Sequence, residues 1–510
     1  MRYNKLWRII ILPLFIAAVA AAAVFSYRAE QNSCMGVPVI GEAEMSRFTA
    51  PAPEGTEMGI LCDGEDAAVD TASSVVYISQ NINGTTDYKD LVGRLEVSAP
   101  GWKMYFAEDE MLADLDGAVA ENHPFRLIVS NGSGEYLEYS VVFTTLPVVR
   151  IEGEQLYTMP QTGTCFGGEF TVWDSNYAHT GGYIREKSSA EWLENDLRDS
   201  GEEKPTWKLS LKNPKGGINM LNLFGLGKDD DWILNGISGD ALRVREKLAA
   251  HIWNSVSADG GYILKTPQGE YAEVVCNGEY KGIYTISRKT DQKFLDIDSD
   301  DLLLRDKKSP RGSYAQNNYT VLDGYYTEDE VWQIVEPFHK QEDLSVININ
   351  SWIDANIIAN AVYNKGRRDY TEMYYLFSNA SSKPRVEFMP VTEDAVFGIT
   401  HRTKRNIYEL DESLCTAEVK YTDEYAKLKE IYPDLDERIG ERYRYLRGDI
   451  LSEKNIFDFT DSEYSTLTHS GALLREKVRW DISDKKQNSE ELKEYIKARL
   501  EYLDTVYSVR

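Results

Sequence analysis

The pattern of apolar residues changes twice along the chain, and those changes limit the fold more than any other feature. From about 56 to 150, β-branched and aromatic residues come in short runs: Val75–Ile78, Leu91–Val97, Phe125–Val129 and Tyr136–Phe143. Turn signals such as Asn83-Gly84 and Asn131-Gly132 separate them. Runs of that length between such turns are strand signals, so a small β-sandwich of the immunoglobulin-like kind is expected over 56–146. No acid/base cluster stands out there, and spacing or adhesion is its plainest use. After Leu146-Pro147 the patterning becomes mixed. Residues 240–254 space Leu242, Leu248, Ala249 and Ile252 as one helical face. Two strand-like runs flank Asn277-Gly278, a hairpin signal. Ser351 to Tyr363 has helical spacing, with Ser351 and Asp354 suited to a capping box. Beyond about 415 the pattern is helical, ending in the stripe Leu492, Ile496, Leu500 and Leu503, which suits core packing.

The fold class expected is therefore α+β: an N-terminal β-sandwich, then an α/β domain over 147–510 with a helical C-terminal part. The difference in pattern implies separable units, the second folding from near residue 145. Residues 28–55, with Pro51 and Pro53 near their end, have the character of a linker.

The first 27 residues form a different kind of segment. Ile9 to Phe25 carries no charge and follows Arg2, Lys5 and Arg8. Such a run suits a short signal-anchor helix with its basic flank in the cytoplasm, leaving the body outside the membrane. Cleavage within the Ala-rich stretch, giving a secreted protein, is the competing expectation.

Composition excludes several classes. A net charge of −27 repels phosphate backbones, so no nucleic-acid partner is expected. The five cysteines, Cys34, Cys62, Cys165, Cys276 and Cys415, are far apart, with no zinc spacing and no disulfide framework. Histidines number six, with no HExxH, and neither GxSxG nor a Walker A sequence occurs.

What remains is an ordered set of stretches. Trp207–Lys212 is followed by Leu223–Leu226, Asp231–Asn235, and Asp240 with Arg245. Then come the Asn-Gly hairpin with Gly282-Ile283-Tyr284, the segment Asp369–Phe377, and Pro390–Gly398. In order and spacing these resemble the spore-coat CotH kinase family over roughly residues 140–400. The resemblance implies an atypical protein-kinase-like fold that transfers the γ-phosphate of ATP, with Mg²⁺ or Mn²⁺, to Ser or Thr of a surface or coat protein.

It also implies roles for particular residues. Asp369 stands before a strand like the family's YYLY and would be the catalytic acceptor base, or a metal ligand. Asp394 takes the place of the second Asp in PWDxDxxFG and would grip the metal. Glu372 could hold metal where the family usually has Asn. Phosphate-binding candidates are Arg185, Lys204 or Lys208, and Arg245, although Arg245 with Asp240 suits a structural ion pair equally. Departures are Val391 for the motif's Trp, Thr392 for its first Asp, Arg288 for a frequent Glu, and Arg305 near an expected Lys. A catalytically degenerate relative that binds nucleotide or protein is the alternative these departures keep open.

Overall fold

In Trp207–Lys212, the residues Trp207, Leu209 and Leu211 are buried while Lys208 is exposed, which is the two-residue period of a strand with one face in a core. A computed structural model shows what that core is. It describes residues 32–53, 58–159, 163–195, 204–306, 319–363, 373–392, 396–401, 408–482 and 488–508.

The N-terminal region is sheet-rich. Its principal strands are β1 (Val37–Ile40), β2 (Val75–Ser79), β3 (Lys103–Ala107), β4 (Phe125–Ser130) and β5 (Glu135–Thr144). They lie in one sheet in the order β1-β3-β4-β5-β2, with Ala68–Asp70 outside β2. A second, three-stranded sheet is made of Glu65–Asp66, Ile60–Cys62 and Leu95–Val97. Three pairings in the larger sheet are parallel, β1 with β3, β5 with β2 and β5 with Ala50–Pro51, so it departs from the antiparallel sheets of an immunoglobulin-like sandwich. The segment expected as a linker is also built in. Ser33–Cys34 pairs with β1, and β1 pairs with β3 through Val39 and Phe106, with Cys34 and Val37 buried.

Next comes a closed seven-stranded barrel. Its strands are β6 (Val148–Met159), β7 (Gly163–Asp174), β8 (Ile184–Asn195), β9 (Thr206–Lys212), β10 (Asp231–Asn235), β11 (Glu270–Cys276) and β12 (Glu279–Arg288). The order is β6-β7-β8-β9-β10-β12-β11, and β11 closes the ring by pairing parallel to β6. Trp192, Trp207, Trp232, Tyr284 and Phe170 fill its core. Gly153 and Gly168 face each other on β6 and β7. A Cβ on Gly168 would lie 2.0 Å from Glu152 O, so only glycine permits that approach. The turn joining β11 to β12 has φ of 49° at Asn277 and 70° at Gly278, the left-handed pair that an Asn-Gly hairpin needs.

Helix α1 (Arg245–Gly260) lies between β10 and β11 in the chain and ends at Gly261, whose φ of 66° stops it. It begins five residues later than the spacing suggests, because Asp240 accepts the Arg245 backbone N–H at 2.9 Å. Leu248, Ile252, Trp253 and Val256 carry its buried face into the largest core. That core joins a four-stranded sheet, β13 (Leu302–Asp306), β14 (Tyr319–Asp323), β15 (Met373–Ser378) and β16 (Arg385–Pro390), in the order β14-β13-β15-β16. Around it pack α2 (Glu328–His339), α3 (Ile349–Val362), α4 (Leu435–Arg447), α5 (Glu453–His469), α6 (Ala472–Trp480) and α7 (Ser489–Ser508).

The capping box expected at Ser351 and Asp354 is not formed. The helix starts at Ile349, and both side chains are buried inside it. Ser351 Oγ donates to Asn348 O and accepts from Phe388 N at 3.2 Å, while Asp354 pairs with Arg442 of α4 at 2.6 Å.

The sheet-rich region and the barrel share a core. Val148, Trp173, Val275 and Tyr280 of the barrel belong to the same buried cluster as Val76, Phe106, Phe125 and Leu127. Tyr77 stacks on Tyr280 with ring centroids 4.4 Å apart.

Candidate active site

Register decides which segments meet. In the β15–β16 hairpin Met373 pairs with Pro390, so the start of β15 and the end of β16 lie side by side. On the neighbouring strand Arg305 pairs with Tyr374, and Asp306 pairs with Tyr319 on β14. One end of the sheet therefore collects Asp306, Tyr319, Met373 and Pro390. Helix α3 delivers the chain toward this place. Val362 O, in its last turn, accepts the Phe397 N–H at 2.7 Å, so the chain that follows β16 is tied to the end of α3. Val391, Thr392, Val396 and Phe397 are all buried, which anchors these flanks in the core.

The acidic candidates stand in the sequence between these flanks. Asp369 and Glu372 fall between Tyr363 and Met373, and Asp394 falls between Thr392 and Val396. All three lie outside the described residues. Among the described residues no three His, Cys, Asp or Glu side chains come together in a way that could hold a metal ion. Carboxylate oxygens are the donors hard divalent cations take, so Asp394 and Glu372 have the chemistry for such a site.

The basic candidates are all described, and they do not gather. Arg185 on β8 donates to Glu65 of the N-terminal region at 2.8 Å, and Lys187 reaches the same carboxylate at 2.7 Å. Arg185 is thus a tie between the sheet-rich region and the barrel. Lys204 is 3% exposed and donates to Glu476 of α6 at 2.6 Å and to Ile283 O at 2.5 Å. Burial, with Arg243 nearby, pushes its pKa down to about 7 even though Glu476 opposes this. Arg245 is buried with Asp240 at 2.6 Å, the structural ion pair. Lys208 is exposed on the outer face of β9. Arg185, Lys204 and Arg245 thus each meet a carboxylate of the protein itself. Arg305 is the basic residue the described frame brings to the hairpin end, with its guanidinium 5.3 Å from the Tyr374 ring centroid.

Two charged residues that hold this region together carried no motif. Glu476 accepts from Lys204, from Arg243 and from the Ile283 N–H, so that burial, which raises a carboxyl pKa, is outweighed and the net shift is downward. Arg499 interrupts the stripe of α7 and is fully buried. An arginine at helical spacing inside an apolar stripe was the one signal available for it.

A search of curated proteins gives no match. The family model described as CotH kinase protein matches residues 198–503, well over half of the chain. That span takes in α1, the four-stranded sheet and helices α2–α6. On that match, the chain belongs to the CotH kinase family.

Proposed function

We propose that this protein is an ATP-dependent protein kinase of the CotH kind, acting outside the membrane on Ser or Thr of a surface or coat protein. The observation that carries the reading is the register of β15 and β16. A helix, an acidic segment, a short hairpin and a second acidic segment follow one another, and the hairpin sets the flanks of both segments at one end. Protein kinases use that kind of pairing, one Asp near the acceptor hydroxyl and another on the metal. In this reading Asp369 orients the hydroxyl, and Asp394 with Glu372 would hold Mg²⁺ or Mn²⁺. Bound metal would neutralise the phosphates of ATP, which is most of what phosphoryl transfer asks of a protein.

The test is incubation of the full-length chain with γ-labelled ATP and Mg²⁺ or Mn²⁺, read as label on the chain itself and on added Ser/Thr-containing protein. Transfer dependent on both metal and nucleotide is expected. No nucleotide-dependent shift in melting temperature under either metal would overturn the reading. The outward orientation rests on the basic flank before Ile9–Phe25, a run outside the described residues. Among the described residues no helix is long and apolar enough to cross a membrane. Protease added to intact cells should digest the body.

A second reading, a relative that binds nucleotide or protein without transfer, draws on the cations. Kinases pair a strand lysine with a glutamate of the helix that follows. Here the strand before α1 offers Asn235, whose amide donates to Glu246 at 2.7 Å. Nucleotide binding without label transfer would favour this second reading.

A further inference from the structure

Helix α6 is held to the barrel by charges that lie out of water. Glu476 is fully buried, and Lys204 and Arg243 are nearly so. Glu476 Oε1 accepts from Lys204 at 2.6 Å and from Arg243 Nη2, and Oε2 accepts the Ile283 N–H at 2.7 Å. Two basic side chains thus share one carboxylate. Arginine keeps its charge throughout the range in which proteins fold, so Arg243 by itself balances Glu476. An ammonium at Lys204 would then be a second buried positive charge without a counter-charge.

Hydrogen bonding agrees with the charges. Among the described residues Lys204 Nζ meets two acceptors, Ile283 O at 2.5 Å and Glu476 Oε1. A neutral amine has two N–H groups to give, whereas an ammonium has three. The third would face the rings of Tyr284 and Trp480, whose centroids lie 5.0 and 6.0 Å from Nζ, and ring faces replace little of an ammonium's hydration. The charged and titratable groups around Nζ are Glu476 and Arg479 of α6, Arg243 of the chain before α1, and Tyr284 of β12. Arg479 is turned toward Glu279 and Tyr280 O, so it brings no negative charge to Lys204.

Helix α6 is also where three parts of the chain meet. Arg475, beside Glu476, donates to Glu273 of β11 at 2.7 Å and to Asn122 of the sheet-rich region at 2.8 Å. Gly471, just before the helix, has φ of +68°, and a Cβ there would lie 2.2 Å from Val119 O. A shift of α6 therefore alters its hold on both the barrel and the sheet-rich region.

We propose that the seat of α6 on the barrel is a proton-operated latch, closed when Lys204 is a neutral amine and loosened when Lys204 takes up a proton. Docking gives one proton from the Lys204 ammonium to solvent, and release takes it back. In the docked state burial and Arg243 hold this lysine at about 7, whereas undocked it returns to water and its ordinary value of 10.5. Between those values docking releases a proton, so each pH unit favours the docked state by about tenfold. Below about pH 7 Lys204 is charged in both states, and the dependence ends.

Hydrogen exchange on the full-length chain, corrected for the intrinsic rate at each pH, tests the latch. Opening of residues 472–480 should fall about 100-fold from about pH 6 to about pH 9, with α3 as the control helix. Lys204→Met removes the titrating group and should keep α6 closed alike at both ends of the range. Lys204→Arg fixes the charge and should leave α6 open alike at both. Opening in the parent that does not change with pH, or a slope that survives in Lys204→Met, would overturn the proposal. Should a variant fail to fold, the Lys204 Cε resonance of the parent decides the matter. Titration near about pH 7 is expected, and titration above about pH 9, close to an ordinary lysine, would overturn it.

Discussion

Lys204 and Glu476 stand 272 residues apart in sequence and meet at 2.6 Å with almost no exposure, locking helix α6 to the barrel. Arg243 joins the same carboxylate, and the adjacent Arg475 grips Glu273 of β11 through two nitrogens at 2.7 and 2.6 Å. Gly282 lies against Glu476 so closely that a Cβ there would be 2.0 Å from its Oε2. One helix therefore fastens β11 and β12 by charge rather than by apolar packing alone.

Removing the Glu476 charge would leave Arg243 buried without its counter-charge, beside a Lys204 whose pKa, already down to about 7, loses the carboxylate that raised it. Glu476→Gln should destabilise the chain by about 3–5 kcal/mol, the usual cost of an uncompensated buried charge. Urea unfolding of parent and variant measures it. A loss below about 1 kcal/mol, the level of an exposed pair, would mean that water reaches the cluster.

A fragment beginning at residue 145 should fare worse than the change in sequence pattern suggests. It would expose Trp173, Val275 and Tyr280, which are buried in a cluster shared with the sheet-rich region. It would also strip Arg185 and Lys187 of Glu65, and Arg475 of Asn122. Calorimetry should show the fragment melting below the full-length chain or aggregating on heating. Equal melting temperatures would show that the shared cluster adds nothing to the barrel's stability.

The pH dependence of stability should carry a signature of His179. Its ring lies 3.3 Å from Asp174 and 3.5 Å from Glu270, which Lys247 also approaches at 3.5 Å. Burial pulls its pKa down, but the hydrogen bonds to Asp174 and Glu270 outweigh burial and raise it to about 9. The folded chain thus holds this proton more tightly than the unfolded chain. The stabilisation is complete below about pH 6.5, the ordinary histidine value, and disappears as pH rises through about 9. Linkage sets an upper bound of about 3 kcal/mol, and solvent screening brings the expected value nearer 1–2 kcal/mol. His179→Gln should therefore lose stability against the parent near about pH 6 and match it near about pH 10. A difference independent of pH would assign the ring to packing alone.

What could be read from the sequence was what neighbours in the chain decide. The Asn277-Gly278 turn and the alternation of Trp207, Leu209 and Leu211 are local chemistry, and both stand in the structure. Ser351 and Asp354 have the spacing of a cap, but Phe388 and Arg442, distant in sequence, claim those side chains. The protein partners of Arg185 and Lys204 were hidden for the same reason. Nothing near Arg185 or Lys204 in sequence announces Glu65 or Glu476, and an unpartnered cation is indistinguishable from a phosphate ligand until its partner is known. Val37–Ile40 was too short, and too interrupted by Pro38, to signal a strand, and its pairing with β3 supplies what its sequence lacks. At the acidic site, order along the chain was legible from the motifs. That Met373 and Pro390 lie together is a matter of register, which the motifs do not contain.

The two acidic residues themselves make the last prediction. If Asp394 grips the metal, Asp394→Asn should weaken metal-dependent ATP binding, because an amide keeps the shape but loses the charge that a divalent cation needs. If Asp369 orients the acceptor, Asp369→Asn should leave that binding intact and lower turnover by about 10²–10⁴-fold, the range of a positioned general base. The two effects separate in a titration of ATP binding run beside a transfer assay. Neither change should much alter the melting temperature without ligand, since both remove negative charge from a chain whose net charge is −27. Glu372→Gln belongs in the same series, as the carboxylate that would stand in for the family's amide. It should weaken metal binding less than Asp394→Asn does. Parental transfer in both Asp369→Asn and Asp394→Asn would mean that the hairpin end is not where phosphate moves, whatever its resemblance to a kinase site.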